Sequence, residues 1–208
     1  MFYIHMEATY PKDGIFLFND VLTDEECEYI IGVINKYAIK EREKHGFFTS
    51  GSESNVIADS ITAMEIPEPG IKEKVCKLMF EKLMYLCKNF SEVYEIYMGG
   101  FEAPTFRKIQ GATKLHIDGV FSAQIRNMSL ILALNDNYQG GELCFPEHGR
   151  IIKLKKGQLV AFPPYWTHPH YTNELLNGTV RYTVNTWTYD TVLGEEGMKG
   201  VSYGSPNP

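Results

Sequence analysis

Apolar side chains recur with a helical period in two stretches of the first half of the chain. The first stretch follows Thr23 and Glu26, whose spacing matches a capping box, and places four apolar residues on one helical face: Cys27, Ile30, Ile31 and Ile34. The second stretch, residues 71–90, has its apolar positions near one face and lysines and glutamates elsewhere. Both patterns predict amphipathic helices whose apolar stripes pack against a core rather than bind a cofactor.

The second half of the chain has a different pattern, in which short apolar runs are separated by Gly, Asn and Asp turns. These runs predict strands, as does the apolar run at residues 13–22 before the first helix. Many short strands after two helices predict a mainly β fold with supporting α-helices, either a barrel or a jelly roll. The strands predicted after residue 91 are residues 93–98, 105–110, 114–118, 128–134, 141–145, 151–154, 158–162 and 181–189.

The 208 residues predict one domain, because no linker or internal repeat divides them. We expect helical support over about residues 1–92, a β core over about residues 93–190, and a loose Gly-rich tail after that. Residues 46–60 are rich in Ser and Gly and show no sustained period, which predicts a mobile loop.

Composition and charge narrow the classes of function. The formal net charge is -6, which opposes non-specific binding to nucleic acid or to an anionic membrane surface. The first residues lack a basic region followed by a long apolar run, and no later stretch reaches a membrane-spanning length. We therefore expect a cytoplasmic protein without a membrane partner. The four cysteines form no Cys-x-x-Cys pair, which favours reduced thiols over a zinc knuckle.

His116, Ile117 and Asp118 form a His-x-Asp pattern inside one of the predicted strands. Successive side chains of a strand alternate between its two faces, so His116 and Asp118 would project to the same side. A histidine from a neighbouring strand would complete the facial triad of two imidazoles and one carboxylate, which leaves open positions on ferrous iron. His168 and His170 share strand parity, so from the pattern alone either could be the third ligand.

Arg181 begins the last predicted strand and is a candidate anchor for an anionic co-substrate. Its planar guanidinium matches a carboxylate in two-point contact and keeps its charge when buried. Alternation along the strand puts Thr183 and Asn185 on the same side as Arg181, where either could add a hydrogen bond to the same carboxylate.

Taken together, the motifs resemble the prolyl 4-hydroxylase-like branch of the iron(II) and 2-oxoglutarate-dependent dioxygenases. The resemblance covers most of the chain, and its Gly-rich approach to His116 is most similar to the compact single-domain members of bacteria and phages. It is carried by residues 14–27, 107–119, 135–146, 156–164, 167–170 and 178–187.

The resemblance implies a fold, a set of ligands and a chemistry. The implied fold is a double-stranded β-helix, a cupin-like jelly roll. Fe(II) would be held by His116, Asp118 and His170. The family's short interval between the last ligand and the basic residue favours His170 over the alternative ligand His168. Arg181 would bind the distal carboxylate of 2-oxoglutarate. The resemblance further implies oxidation of an unactivated C–H bond with O2, release of succinate and CO2, and ascorbate as an additional ligand.

The chain departs from the family pattern at two positions. Relatives often have tyrosines where this chain has Arg107 and Ala133, so the polar contacts to the co-substrate are expected to be rearranged. Arg126 and Trp187 join Arg107 as candidates for the substrate pocket, although a solvated arginine beside a turn is an equally good interpretation of Arg126.

The substrate is the least determined part of the prediction. The family resemblance puts a prolyl residue in a peptide or protein first, and a free amino acid or other small molecule second. Nucleic-acid demethylation comes third, since the acidic chain has no evident basic stripe. A rival of a different class is a non-catalytic jelly-roll module that binds metal, although a structural zinc site would normally be closed by four protein ligands. The oligomeric state is not predicted.

Overall fold

The protein, seen here in a computed structural model, is described for residues 11–41, 57–96, 98–119 and 126–189. Within these ranges it forms two α-helices, α1 (Asp24–Tyr37) and α2 (Pro69–Tyr94), and two short 3-10 turns, Ala63–Glu65 and Pro146–His148. The strands of the same ranges are β1 (Phe16–Phe18), β2 (Ile39–Glu41), β3 (Ile57–Thr62), β4 (Gly100–Phe101), β5 (Thr105–Gln110), β6 (Arg126–Ala133), β7 (Gln139–Gly140), β8 (Leu143–Phe145), β9 (Arg150–Ile152), β10 (Leu159–Phe162), β11 (Tyr171–Thr172), β12 (Leu175–Leu176) and β13 (Arg181–Tyr189).

The larger sheet is antiparallel and has the strand order β1-β10-β6-β13-β5-β3-β2, with β4 paired to one end of β13. Two smaller sheets have the orders β11-β8-β9 and β12-β7. Strand β13 pairs with both β5 and β6 over most of its length, so it lies in the middle of the larger sheet.

The larger sheet is covered on both faces. One face packs against α1 and α2 through apolar residues such as Phe106, Leu130 and Val184. The opposite face packs on the smaller sheets through a second cluster: Ile15, Ala133, Leu143, Phe145, Ile152, Leu154, Val160 and Phe162. A side chain of β13 therefore faces either the helices or the space between the sheets, depending on its parity. The prediction of a mainly β jelly roll supported by helices is confirmed.

The predicted capping box at the start of α1 is present. Thr23 Oγ1 accepts a hydrogen bond from the Glu26 backbone N–H, and the Glu26 carboxylate accepts one from the Thr23 backbone N–H. On the buried face of this helix Val33 takes the place that the sequence pattern gave to Ile31, which is half-buried.

Removal of this cap gives a first testable prediction. Thr23→Ala leaves the Glu26 backbone N–H at the start of α1 without its side-chain acceptor, so we expect the free energy of unfolding to fall by about 1 kcal/mol. Urea denaturation measures the change. Thr23→Ser keeps the hydroxyl and should be close to wild type; an equal loss in both variants would contradict the capping role.

Several predicted elements differ from the observed ones. Residues 93–98 were predicted as a strand, but α2 continues through Tyr94, whose ring packs against Phe16 and Phe90 at centroid distances of 4.8 Å. Residues 57–60 belong to β3 rather than to a loop. Because β1, β2 and β3 all join the larger sheet, the first 92 residues supply strands as well as helical support.

The remaining part of the predicted loop, residues 46–56, and the predicted tail after residue 190 lie outside the described residues. Within the described ranges, neither helix combines the length and the apolar composition that crossing a membrane requires.

Candidate active site

Three predicted metal ligands meet at one end of the space between the sheets. His116 Nε2 lies 3.5 Å from Asp118 Oδ1, and His170 Nε2 lies 3.8 Å from Asp118 Oδ2. All three ligand atoms lie within 4.8 Å of one another. Two ligands about 2.1 Å from a shared metal are separated by about 3–4 Å, depending on their angle. The cluster therefore fits a single divalent cation after a small contraction.

The backbone brings these residues together without a regular strand. Residues 114–118 were predicted to be extended along a strand, but only an isolated bridge joins His116 to His170. The two residues exchange backbone hydrogen bonds of 3.0 and 2.9 Å, from His116 N to His170 O and from His170 N to His116 O. This pairing sets the two imidazole rings side by side, with centroids 4.3 Å apart.

Backbone carbonyls fix the orientation of both rings. His116 Nδ1 donates to the Lys114 carbonyl at 2.7 Å, and His170 Nδ1 donates to the His168 carbonyl at 3.1 Å. A carbonyl oxygen can only accept, so each Nδ1 carries a proton, and each Nε2 is the ring nitrogen that faces Asp118. Metal-binding histidines in proteins usually have this arrangement.

The surroundings set the charge of each ligand. Burial lowers the pKa of His170 to about 4, an effect that the charge of Asp118 opposes only in part. Burial also acts to lower the pKa of His116, but the hydrogen bond and charge of Asp118 outweigh it and the pKa is raised. Burial would raise the pKa of Asp118, yet hydrogen bonds from His116 and Ser129 and the charges of both histidines hold it well below its ordinary value. At neutral pH, Asp118 is therefore a carboxylate and His170 a neutral base.

Ser129 is a residue of the site that the sequence reasoning missed. It lies on β6 and is buried, and its hydroxyl donates to Asp118 Oδ2 at 2.6 Å. Its parity on β6 with Ile131 and Ala133, which line the same cavity, was a signal that could have found it.

A second testable prediction concerns this hydrogen bond. We expect Ser129→Ala to weaken binding of Fe(II), or of Mn(II) as a redox-stable probe, by roughly 10–100-fold, because the carboxylate loses the group that orients it. Anaerobic calorimetric titration of the metal measures the effect. Thr188→Val, which removes a buried hydroxyl of β13 that has no partner among the described residues, is the matched control. Equal affinities in both variants would contradict the positioning role.

His168, the alternative ligand, lies outside the metal-ligand cluster. It sits in a turn rather than on a strand, so parity does not apply to it. Its Nε2 donates to the Asp13 carbonyl at 2.8 Å, its Nδ1 pairs with Thr167 Oγ1 at 2.9 Å, and its ring stacks on His148. Both ring nitrogens therefore have partners away from Asp118.

Arg181 lines the same cavity as the metal-ligand cluster. The volume of this cavity is about 220 Å³. Arg181 is only 9% exposed, and its Nη1 donates to the Gly141 carbonyl at 2.6 Å. Its Nε has no hydrogen-bond partner among the described residues, and burial lowers the pKa of this guanidinium. A buried cation with an unused donor favours an anionic ligand at this end of the cavity.

Thr183 and Asn185 line the cavity beside Arg181, as their parity on β13 predicts. Thr183 Oγ1 donates to Asn185 Oδ1 at 2.7 Å, which leaves the amide group of Asn185 as the donor of the pair. Their contact with a co-substrate carboxylate stays a prediction.

The three candidates for the substrate pocket, Arg107, Arg126 and Trp187, also line the cavity. Arg126 is not a solvated arginine: it makes a two-point ion pair with Glu102 at 2.6 and 2.8 Å and donates to the Asp118 carbonyl at 2.8 Å. Its guanidinium lies 3.9 Å from the centre of the Trp187 ring. Nothing in the sequence pattern pointed to Glu102, which lies 24 positions before Arg126 along the chain.

The wall of the cavity between the metal-ligand cluster and Arg181 is mostly aliphatic, formed by Ile109, Ile131, Leu143, Ile152 and Leu154. The cavity thus combines an aliphatic wall with the metal-ligand cluster, the buried guanidinium of Arg181 and further cationic side chains. It can hold a small molecule that carries a metal-chelating group and an anionic group.

Comparison with known proteins gives both a family match and a set of structural neighbours. Residues 105–189, which carry the metal-ligand cluster and Arg181, match the model of the 2OG-Fe(II) oxygenase superfamily. Among curated proteins, no sequence matches the chain.

The structure is similar to a prolyl hydroxylase from Trichoplax adhaerens in complex with a hypoxia inducible factor peptide fragment, with a TM-score of 0.65 and 15% identity over 92% of this chain and 89% of that chain. It is similar to the 2OG complex of a viral collagen prolyl hydroxylase from Paramecium Bursaria Chlorella virus-1, with a TM-score of 0.59 and 19% identity over 85% of this chain and 95% of that chain. A Pseudomonas putida prolyl-4-hydroxylase gives a TM-score of 0.58 and 18% identity over 85% of this chain and 92% of that chain. At these identities the likeness establishes the fold.

Proposed function

We propose that this chain, a prolyl hydroxylase-like 2OG-Fe(II) oxygenase, hydroxylates an unactivated C–H bond of a prolyl residue in a peptide or protein and releases succinate and CO2. The observation that carries the proposal is the presence of His116, Asp118, His170 and Arg181 in one cavity. Three protein ligands leave positions open on the metal, which a structural site would fill.

The residues of the site have separate roles in this proposal. His116, Asp118 and His170 would hold Fe(II), which together with 2-oxoglutarate and O2 supplies the oxidising chemistry. Arg181 would bind the distal carboxylate of 2-oxoglutarate in two-point contact. The aliphatic wall keeps water away from the co-substrate. Ascorbate binding stays a prediction.

The surface next to the metal-ligand cluster supports a chain-like substrate. Leu115 precedes a metal ligand and is half exposed, and Trp166 is 79% exposed. Tyr165 approaches Gly119 closely and donates to the Arg126 carbonyl, so these residues lie near the Asp118 segment. Exposed aromatic and aliphatic groups suit apolar contacts to a proline-containing peptide. One of the similar structures is a prolyl hydroxylase in complex with a peptide fragment, and another is a collagen prolyl hydroxylase.

The test has a binding step and a product step. Under anaerobic conditions, 2-oxoglutarate is titrated into the Fe(II)-loaded protein while the visible metal-to-ligand charge-transfer band is recorded. The protein is then exposed to isotopically labelled O2 with a Pro-Pro-Gly repeat peptide or with free proline. Mass spectrometry should find one labelled oxygen atom in the peptide for each succinate formed.

The other outcomes each select a different function. Label in free proline but not in the peptide would replace the peptide substrate by a small molecule. Absence of the charge-transfer band in a folded, iron-loaded protein would overturn the enzyme and support the metal-binding module.

A further inference from the structure

The cavity carries more positive charge than a single anchor requires. Among the described residues that line it, the charged side chains other than the histidines are Arg107, Lys114, Arg126 and Arg181 against the single carboxylate of Asp118. Arg126 is already paired with a carboxylate, as described above. The chain as a whole is acidic, with a formal charge of -6, so this concentration of cations is local. It indicates a ligand with more than one negative charge.

Strand register gives the place of Arg107 along the cavity. On β5, Ile109 is paired with Arg181, and Arg107 is paired with Thr183 two residues further along β13. The same strand β13 continues to Trp187, which is paired with Ser129, the partner of Asp118. Arg107 is thus one two-residue step, about 7 Å, from the level of Arg181, in the direction of the metal-ligand cluster.

On the side of β13 opposite Arg107, the side chain at the same level of the cavity is small. Thr183 is paired with Arg107 on one side and with Ala133 on the other, and all three line the cavity. The methyl group of Ala133 fills little of the space there. A long side chain at Arg107 can therefore extend over Thr183 toward the axis of the cavity.

The electrostatics agree with this placement. Burial is the largest cause that lowers the pKa of Arg181, and the positive charge of Arg107 lowers it further, while Tyr138 and Glu142 act in the opposite direction. Arg107 is therefore close enough to Arg181 for the two charges to interact, and an anion between the two guanidinium groups would relieve their repulsion.

We propose that Arg107 and Arg181 together clamp the distal carboxylate of 2-oxoglutarate, so that Arg107 determines the preference of this site for a dicarboxylic 2-oxo acid. This inference rests on the proposed function, since it takes 2-oxoglutarate as the ligand. Arg107 lies only one two-residue step from the level of Arg181. This position assigns Arg107 to the distal carboxylate of 2-oxoglutarate rather than to the end of the molecule that chelates the metal.

The test compares two probes that differ only at the distal end. Both 2-oxoglutarate and 2-oxobutyrate can chelate iron, but 2-oxobutyrate lacks the second carboxylate. Their dissociation constants are measured anaerobically on the Fe(II)-loaded protein by calorimetry and by the charge-transfer band. We expect Arg107→Gln to weaken 2-oxoglutarate binding by about tenfold to hundredfold, in line with loss of a charged hydrogen bond, and to change 2-oxobutyrate binding by less than about threefold.

Two further variants keep the test decisive. Lys108→Gln removes a positive charge from the adjacent position of β5, which does not line the cavity, and should leave both dissociation constants unchanged. Arg107→Lys keeps the charge but loses the two-point contact, so it should weaken 2-oxoglutarate binding less than Arg107→Gln does. Arg107→Lys also serves if Arg107→Gln does not fold.

The contrary results are distinct from one another. An equal loss for both probes would place Arg107 at the metal-chelating end, and unchanged 2-oxoglutarate binding would remove it from the co-substrate site; either result overturns the clamp and leaves the proposed function intact. A wild-type protein that binds neither probe would overturn the proposed function and the clamp together.

Discussion

His170→Ala should abolish the charge-transfer band that 2-oxoglutarate gives with the Fe(II)-loaded protein. The loss of metal affinity should exceed the roughly 10–100-fold expected from losing a hydrogen bond behind a ligand, because a ligand itself is removed. His170 is only 3% exposed and packs against Phe145 and Phe162, so the variant should also lose about 2 kcal/mol or more of stability through the cavity it creates. Anaerobic titration measures the first effect and urea denaturation the second.

Two further variants distinguish the effect of losing a metal ligand from the effect of losing side-chain packing. His116→Gln removes a ligand that is less buried and should abolish the band at a smaller cost in stability. His168→Gln changes the neighbouring histidine while its backbone carbonyl, which orients His170, stays in place. This variant should keep the band. A band that survives in His170→Ala but disappears in His168→Gln would mean that His168, and not His170, is the metal ligand.

The His-x-Asp pattern could be predicted from sequence even though its local structure could not. Alternation along a strand put His116 and Asp118 on one side, and both do face one cavity. The segment is nevertheless irregular and has only a single bridge, to His170. The pairing that holds it joins residues 54 positions apart, so no local pattern contains it.

The choice between His168 and His170 shows a limit of local reasoning. Strand parity treated the two residues as equivalent, but a turn ends the extended segment before His170. The partner of the His168 ring is the carbonyl of Asp13, which is 155 positions away. Only the arrangement of the N-terminal segment against this turn separates the two histidines.

The fold was predictable where periodicity was strong and where tertiary contacts agreed with it. The last strand was predicted with its observed bounds, Arg181–Tyr189, and polar and apolar residues alternate over its first five positions. At residues 93–98 the β-branched and aromatic residues favoured a strand, but aromatic packing of Tyr94 extends the helix. The pairing of β3 with β5 depends on contacts between distant segments, which periodicity does not record.

Arg181→Met should weaken 2-oxoglutarate binding by about 100-fold while leaving the ligand-free protein as stable as wild type, or more stable. The guanidinium is buried, and its Nε has no partner among the described residues, so in the absence of an anion it carries a desolvation cost. Methionine keeps much of the apolar stem and removes that cost, although the Gly141 carbonyl loses its donor. The proposed two-point contact with the carboxylate would be lost entirely.

Thermal unfolding with and without 2-oxoglutarate measures both effects at once. In the wild-type protein a ligand that binds only the folded state raises the unfolding temperature, and in Arg181→Met this rise should largely disappear. Arg150→Met is the matched control, because Arg150 pairs with Asp13 away from the cavity. It should keep the full ligand-induced rise. A ligand-free Arg181→Met protein that is much less stable than wild type would mean that Arg181 is a structural residue, and an undiminished rise would mean that it does not bind the co-substrate.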